Sequence, residues 1–177
     1  MAEYSQITDP PLQTRIRARY ATDIDLLHPL GFRLLAFTLE ALAPYSAVLQ
    51  LPVLLLALSR REVLIFPRPL RLAVANVLLG HSDPPTIALC MGLGVKLYTA
   101  FTNNTQLISS TFQSQAVPGP TSSITRIHPF PSLELAWTGH KERVRELLGQ
   151  SRVPHPGVSF ETYVAMSRRE EDLSQYQ

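Results

Sequence analysis

The spacing of apolar positions changes character several times along the chain. Residues 1–20 carry no core-forming pattern: arginines at 15, 17 and 19 alternate with Ile16 and Ala18 after Asp9-Pro10-Pro11. This stretch, taken as 1–21, reads as a flexible leader. Thr22 then offers an N-cap with Asp25 three residues on, in the manner of a capping box, and a short helix runs through Leu26 and Leu27 to a stop before Pro29. The run from Phe32 to Leu39 is strand-like. Val63–Phe66, Leu72–Leu79 and Thr86–Val95 are short apolar runs bounded by prolines, glycine or charge, and β-strands are the economical reading for each. The run 72–95 taken whole leaves a second membrane segment open.

A hairpin is the clearest local signal. Val95–Thr102 and Thr105–Phe112 are rich in β-branched and aromatic residues, and Asn103-Asn104 between them suits a type I′ turn, which needs positive φ. That turn sets Ala100 opposite Leu107 and Thr99 opposite Ile108. Gln113–Pro131 is rich in Pro, Ser and Thr and reads as a loop. Ser132 then caps a helix in which Leu133, Ala136, Trp137, His140, Val144, Leu147 and Leu148 recur at helical spacing, so one stripe faces a sheet. Gly149 ends it as a C′ residue. A second helix is predicted from Ser159 through Phe160, Tyr163 and Val164 into the charged run Arg168–Asp172.

One segment has no rhythm at all. The nineteen residues between Glu40 and Arg60 carry no charge, and fourteen of Ala41–Leu58 are apolar. As a helix, 41–59 would be about 28 Å long, close to the thickness of a hydrocarbon core. Leu49, Leu51, Val53–Leu56 and Leu58 cover every face, which suits lipid or a central core position. Pro44 and Pro52 interrupt it, and membrane helices tolerate proline better than soluble ones. Arg60, Arg61, Arg68 and Arg71 follow and only Arg33 precedes nearby, so the positive-inside rule puts the C-terminal side in the cytoplasm.

Composition narrows the reading. A chain of 177 residues suits one domain, and the 17% of charged residues falls below the usual ~25%. The net charge of +2, with dispersed arginines, is too small to argue for nucleic acid, and no nucleic-acid partner is expected. The single cysteine, Cys90, lies among apolar neighbours and reads as a buried structural thiol. No signal-peptide core precedes Tyr20.

Candidate chemistry is sparse. His28, His81, His128, His140 and His155 share no ligand spacing, so no metal or cofactor is expected. His140, three residues after Trp137 on the apolar stripe, reads as a packed histidine with a satisfied nitrogen. His81 with Asp83, and His128, are the candidate catalytic residues, although a turn is the commoner use of His-Ser-Asp-Pro-Pro. No Gly-x-Ser-x-Gly elbow occurs, and Gly92-Leu93-Gly94 precedes a strand where a phosphate loop would precede a helix.

Gly92–Thr99, Phe101–Thr105 and Leu107-Ile108 together resemble a family of uncharacterised small bacterial proteins, mostly cyanobacterial. Leu30-Gly31-Phe32 before the hydrophobic segment, Arg61-Glu62 after it, Trp137 with His140, and Phe160 with Tyr163 extend the likeness over 22–172. The family's hairpin turn is usually Asp-Gly, where this chain has Asn103-Asn104. The resemblance implies an architecture and no activity.

The expected protein is therefore α+β: an antiparallel sheet from strands near 32–39, 63–66, 72–79, 86–90 and 95–112, backed by the 132–148 helix, in one domain over 22–173. A hydrophobic helix at 41–59 contacts the lipid bilayer, with the main domain on the cytoplasmic side. If 32–39 and 95–112 share one sheet, the segment must enter and leave on one face. The leading function is a membrane-anchored interaction or scaffold module with an unidentified protein partner. Its rivals are a soluble subunit that packs 41–59 on a partner, and a small hydrolase-like enzyme using the loop His and Asp residues.

Overall fold

The computed structural model describes residues 3–41, 63–67, 70–112, 124–127 and 130–174. They form eight strands and four helices: β1 (Glu3–Gln6), α1 (Pro10–Arg19), α2 (Ala21–Leu27), β2 (Arg33–Ala41), β3 (Val63–Pro67), β4 (Leu70–Ser82), β5 (Pro85–Met91), β6 (Gly94–Ala100), β7 (Gln106–Ser110), β8 (Ile124–Ile127), α3 (Leu133–Gly149) and α4 (Phe160–Ser174). The class is α+β, as expected. All strands belong to one sheet in the order β1-β2-β4-β5-β6-β7-β8, with β3 on β4. Every pairing is antiparallel except β7 with β8.

Of residues 3–20, expected as a loose leader, Glu3–Gln6 pairs with β2 as a strand of this sheet and Pro10–Arg19 forms a helix packed on it. Asp9 is an N-cap whose carboxylate accepts from Leu12 N–H at 2.9 Å, and Pro10 and Pro11 take the first helical positions, where a missing N–H costs nothing. Alternating arginines leave α1 a single buried residue, Ile16, but Tyr20 at its end is 3% exposed and its hydroxyl donates to Ala75 O at 2.9 Å. Tertiary contact holds this helix. Thr22 lies inside α2, whose N-cap is Tyr20 with no side-chain bond, so the expected capping box is absent.

β4 is the axis of the fold. It pairs with β2 along one edge, and with β3 and then β5 along the other. The strand expected over 72–79 does not stop at Gly80 but runs through His81 to Ser82. Gly80 is needed inside it because a Cβ there would stand 2.5 Å from Val158 Cγ1 and 3.0 Å from Leu35 Cδ1. The hairpin also departs from the expected turn. Its strands end at Ala100 and resume at Gln106, leaving five residues closed by Phe101 N–H on Thr105 O at 2.9 Å. Asn104 takes φ 63°, and Asn103 Oδ1 accepts from the Thr105 amide and hydroxyl. The register is one residue off the expected one: Ala100 faces Gln106 and Thr99 faces Leu107. Such a slip moves every β7 side chain to the opposite face.

The two faces are covered differently. On one, Val77, Leu79, Ala88, Cys90, Val95 and Leu97 pack beneath α1, α2 and the first turns of α3, with Phe32 and Trp137. The buried stripe of α3 (Leu133, Ala136, Trp137, His140, Val144 and Leu147) is the one its spacing predicts, except that Leu148, expected on it, is 45% exposed. Ser132 caps it; at the other end Gly149 is still helical, and Ser151 at φ 63° takes the left-handed position expected for the glycine. On the other face, α4 lies against Leu78, Leu89, Tyr98 and Ile108 through Tyr163 and Met166. The Tyr163 ring meets Tyr4 on β1 at 5.8 Å and Tyr98 on β6 at 6.2 Å. Those strands are four steps apart and would be separated by roughly 19 Å in a flat sheet. The sheet therefore curls, and α4 occupies its concave side.

The proposed 41–59 helix lies, Ala41 excepted, outside the described residues. Ala41 is the last residue of β2, and no helix among the described residues is long and apolar enough to cross a membrane. The run 72–95, open to a second membrane segment, is strand throughout apart from two turns. The two ends of 42–62 are fixed: Ala41 pairs with Ala73, and Val63 pairs with Val74 on the opposite edge of the same strand.

Candidate functional site

His140 is where the chain concentrates polar groups in its core. The register of β5, β6 and β7 puts Thr86, Thr99 and Ser109 on the α3 face, and α3 places His140, fully buried, among them. Its Nε2 lies 2.9 Å from Thr99 Oγ1 and its Nδ1 lies 2.8 Å from Ser109 Oγ. Thr86 donates to Pro84 O at 3.0 Å and Thr99 to Pro85 O at 3.1 Å. The two threonine hydroxyls also stand 3.0 Å from each other, so one of them is shared between its carbonyl and its neighbour. With Thr99 donating to Pro85 O, its oxygen accepts from an imidazole proton on Nε2 and Nδ1 accepts from Ser109. Burial holds the ring neutral, its pKa lowered to about 3. Trp137 stacks alongside, 6.1 Å between centroids, and Lys141 caps the indole at 5.2 Å. A ring with both nitrogens bonded and no solvent access stabilises the core; it has no route to a substrate. The packed reading of His140 holds, with two nitrogens satisfied instead of one.

His81 and Asp83 do not form a catalytic pair. His81 is wedged against Phe32 (5.1 Å) and Trp137 (4.8 Å), and its Nδ1 faces the backbone N–H of Asp83 at 3.2 Å and the Pro84 carbonyl at 3.3 Å, while Asp83 is exposed. His128 lies outside the described residues. Among the described residues no group of three or more His, Cys, Asp or Glu side chains is gathered where a metal could sit. Cys90 is buried, and burial first, then the charge of Asp23, raise its thiol pKa far above the ordinary range.

An open concavity lies on the α4 side. A groove of about 480 Å³ runs between the β6–β7 turn and α4, lined by Phe101, Gln106, His155, Glu161, Met166 and Arg169 among others. The loop after α3 is pinned to the hairpin by Thr102 N–H on Val153 O and His155 N–H on Ala100 O, both 2.8 Å, and this carries the His155 ring to the rim. Gly157 N–H donates to His155 Nδ1 at 3.1 Å, so in the neutral ring Nε2 carries the proton. Ser159 opens α4 by accepting from Thr162 N–H, and Glu161 is held below the ordinary carboxylate range by its own N–H and by Ser159. Gln106 is 4% exposed; its Nε2 donates to Met166 O at 3.4 Å and its Oε1 has no partner. A residue-by-residue reading missed this groove because its parts are 68 residues apart in sequence and none forms a motif. The exposed charge on α4 was visible only as a solvated helix end. The sequence matches no family model, and no curated protein or solved structure matches it.

Proposed function

We propose that this protein is a membrane-attached binding module whose apolar segment enters and leaves the bilayer on one side. The observation that carries this reading is the pairing of Ala41 with Ala73 and of Val63 with Val74. Both ends of 42–62 flank β4, two strand spacings or about 10 Å apart. A single straight pass would separate them by the thickness of the membrane and place β2 and β3 on opposite sides, which strands of one sheet cannot be. The uncharged, apolar composition of 41–59 still favours lipid over water. Arg60, Arg61, Arg68 and Arg71 follow it directly and favour an anionic, cytoplasmic leaflet. A module without chemistry of its own agrees with His140 being sealed in the core and His81 being packed between rings.

The test uses the full chain with epitope tags at both termini, expressed in cells and followed into sealed membrane vesicles. The expected result is retention through a salt wash and identical protease sensitivity of the two tags. Tags digested from opposite sides would overturn the one-sided reading. Release by salt alone would overturn membrane attachment and favour a partner protein as the cover for 41–59.

A further inference from the structure

We propose that the ribbon formed by β3 and the first residues of β4 is a second lipid-contacting element, lying at headgroup level on an anionic leaflet beside the 41–59 segment. This rests on the membrane-attached reading and adds a site to it. The first ground is position. β2 ends at Ala41, opposite Ala73, and β3 begins at Val63, opposite Val74. β5 joins β4 only from Val77 onward. Among the described residues Leu70–Leu72 therefore pair with β3 alone. At ~3.3 Å per residue this two-stranded extension reaches roughly 10 Å past the level of Ala73, where the chain leaves for 42–62. A bilayer that receives 42–62 at that end of the sheet meets the ribbon as well.

The second ground is composition. The register sets Val63, Ile65 and Pro67 on one face of the ribbon with Leu70, Leu72 and Val74, and all six are apolar. The opposite face takes Leu64, Phe66 and Ala73 with one charge, Arg71. Two strands without a third are marginal in water, so a ribbon of this composition needs a cover. Charge selects which cover. Between Glu62 and Asp83 the only charged residues are Arg68 and Arg71, and Arg60 and Arg61 stand just before. Apolar residues mixed with arginines and no carboxylate suit the boundary of an anionic leaflet, where stems lie against acyl chains and guanidinium groups reach phosphate. Depth follows from the backbone. The β4 edge beyond Ala73 has no second strand among the described residues, and hydrocarbon does not tolerate unpaired amides, so the ribbon stays at headgroup level. Its reach matches the 5–10 Å, roughly, to which interfacial elements sink.

The test uses the full chain on vesicles of phosphatidylcholine, with and without phosphatidylglycerol. Cys90 is buried, so a thiol-reactive fluorophore on Ile65→Cys reports a single site. Leu72→Cys, opposite Ile65, gives a second reading of the same face. The control is Val153→Cys, 57% exposed and tied to Thr102 at the opposite end of the sheet. Flotation reads attachment, and quenching by nitroxide-labelled lipid reads the ribbon. With phosphatidylglycerol present, quenching at 65 and 72 should exceed that at 153 severalfold. Arg68→Gln combined with Arg71→Gln should lower it in the charged vesicles and leave it unchanged in the neutral ones, which a merely distorted ribbon would not do. Protein that floats with equal quenching at all three sites would overturn this inference and leave attachment standing. Protein that does not float would overturn both. An equal fall in charged and neutral vesicles would overturn the anionic leaflet as the partner. Shielding of the label without vesicles, growing with protein concentration, would assign the ribbon to a second copy of the chain and overturn the lipid contact.

Discussion

Acidification should destabilise this protein, and one residue should carry a large share of the loss. His140 is buried with an imidazole pKa lowered from its ordinary 6.5 to about 3, so the unfolded chain takes up a proton over a pH range in which the folded chain refuses it. The contribution is fully present above about pH 6.5 and is lost progressively as the pH falls towards 3. Each unit inside that window costs about 1.4 kcal/mol, so moving from about pH 7.5 to about pH 4.5 removes on the order of 3 kcal/mol. Against a typical total of about 5–15 kcal/mol that is a large share. The assay is urea unfolding at the two pH values, read by fluorescence of the single tryptophan, Trp137, which stacks on the His140 ring. The control is His140→Gln, whose amide donates and accepts but does not titrate. Carboxylates titrate alike in both proteins, so the difference between their pH-dependent losses isolates His140. Equal losses in wild type and variant would refute the buried neutral ring.

Gly80→Ala should destabilise the fold by about 1–3 kcal/mol, because the new methyl would stand 2.5 Å from Val158 Cγ1 where α4 is led onto the sheet; chemical denaturation measures it, and a shift within 0.5 kcal/mol would mean that Val158 packs elsewhere. Cys90 should stay unreactive towards an aromatic disulfide reagent in the native protein and titrate as one thiol in urea, since it is buried and its ionisation is suppressed. Asp83→Ala should change stability by less than about 0.5 kcal/mol, as the bond to His81 comes from the backbone N–H that alanine retains; a larger loss would give the carboxylate a role that the geometry does not. Gly31→Ala should cost more than about 1 kcal/mol, since φ is +93° and a Cβ would stand 2.9 Å from His81 Nε2.

The elements that the sequence announced are those whose signal is local. The stripe of α3 is legible because 3.6-residue spacing alone decides which side chains share a face, and every residue buried on α3 was on that stripe. The strands were legible as apolar runs between breakers. Where tertiary contact decides, the pattern failed. α1 has almost no apolar face and is held by Ile16 and by the Tyr20 hydroxyl on Ala75, 55 residues away. Gly80 looks like a stop until Val158, from the far end of the chain, is seen to need the space.

The buried site shows the same division most sharply. Sequence alone placed His140 on a buried face and predicted that a ring nitrogen would be satisfied. It could not name the partners, because the expected Asn103-Asn104 turn puts Ser109 on the opposite face from Thr99. The five-residue turn actually formed shifts the register by one and brings Leu107 and Ser109 to the Thr99 side, so that Thr99 and Ser109 clamp the two ring nitrogens. The groove was less legible still, being assembled from a turn, a loop and a helix that share no local pattern. For the apolar segment, composition by itself argued for lipid contact. Where the segment's two ends sit relative to each other was decided by the pairing of β2 and β3 with one central strand, which holds both beside β4. Local chemistry chose the helices and strands of this protein; backbone register and shared strand partners, which no short window of sequence contains, chose what faces what.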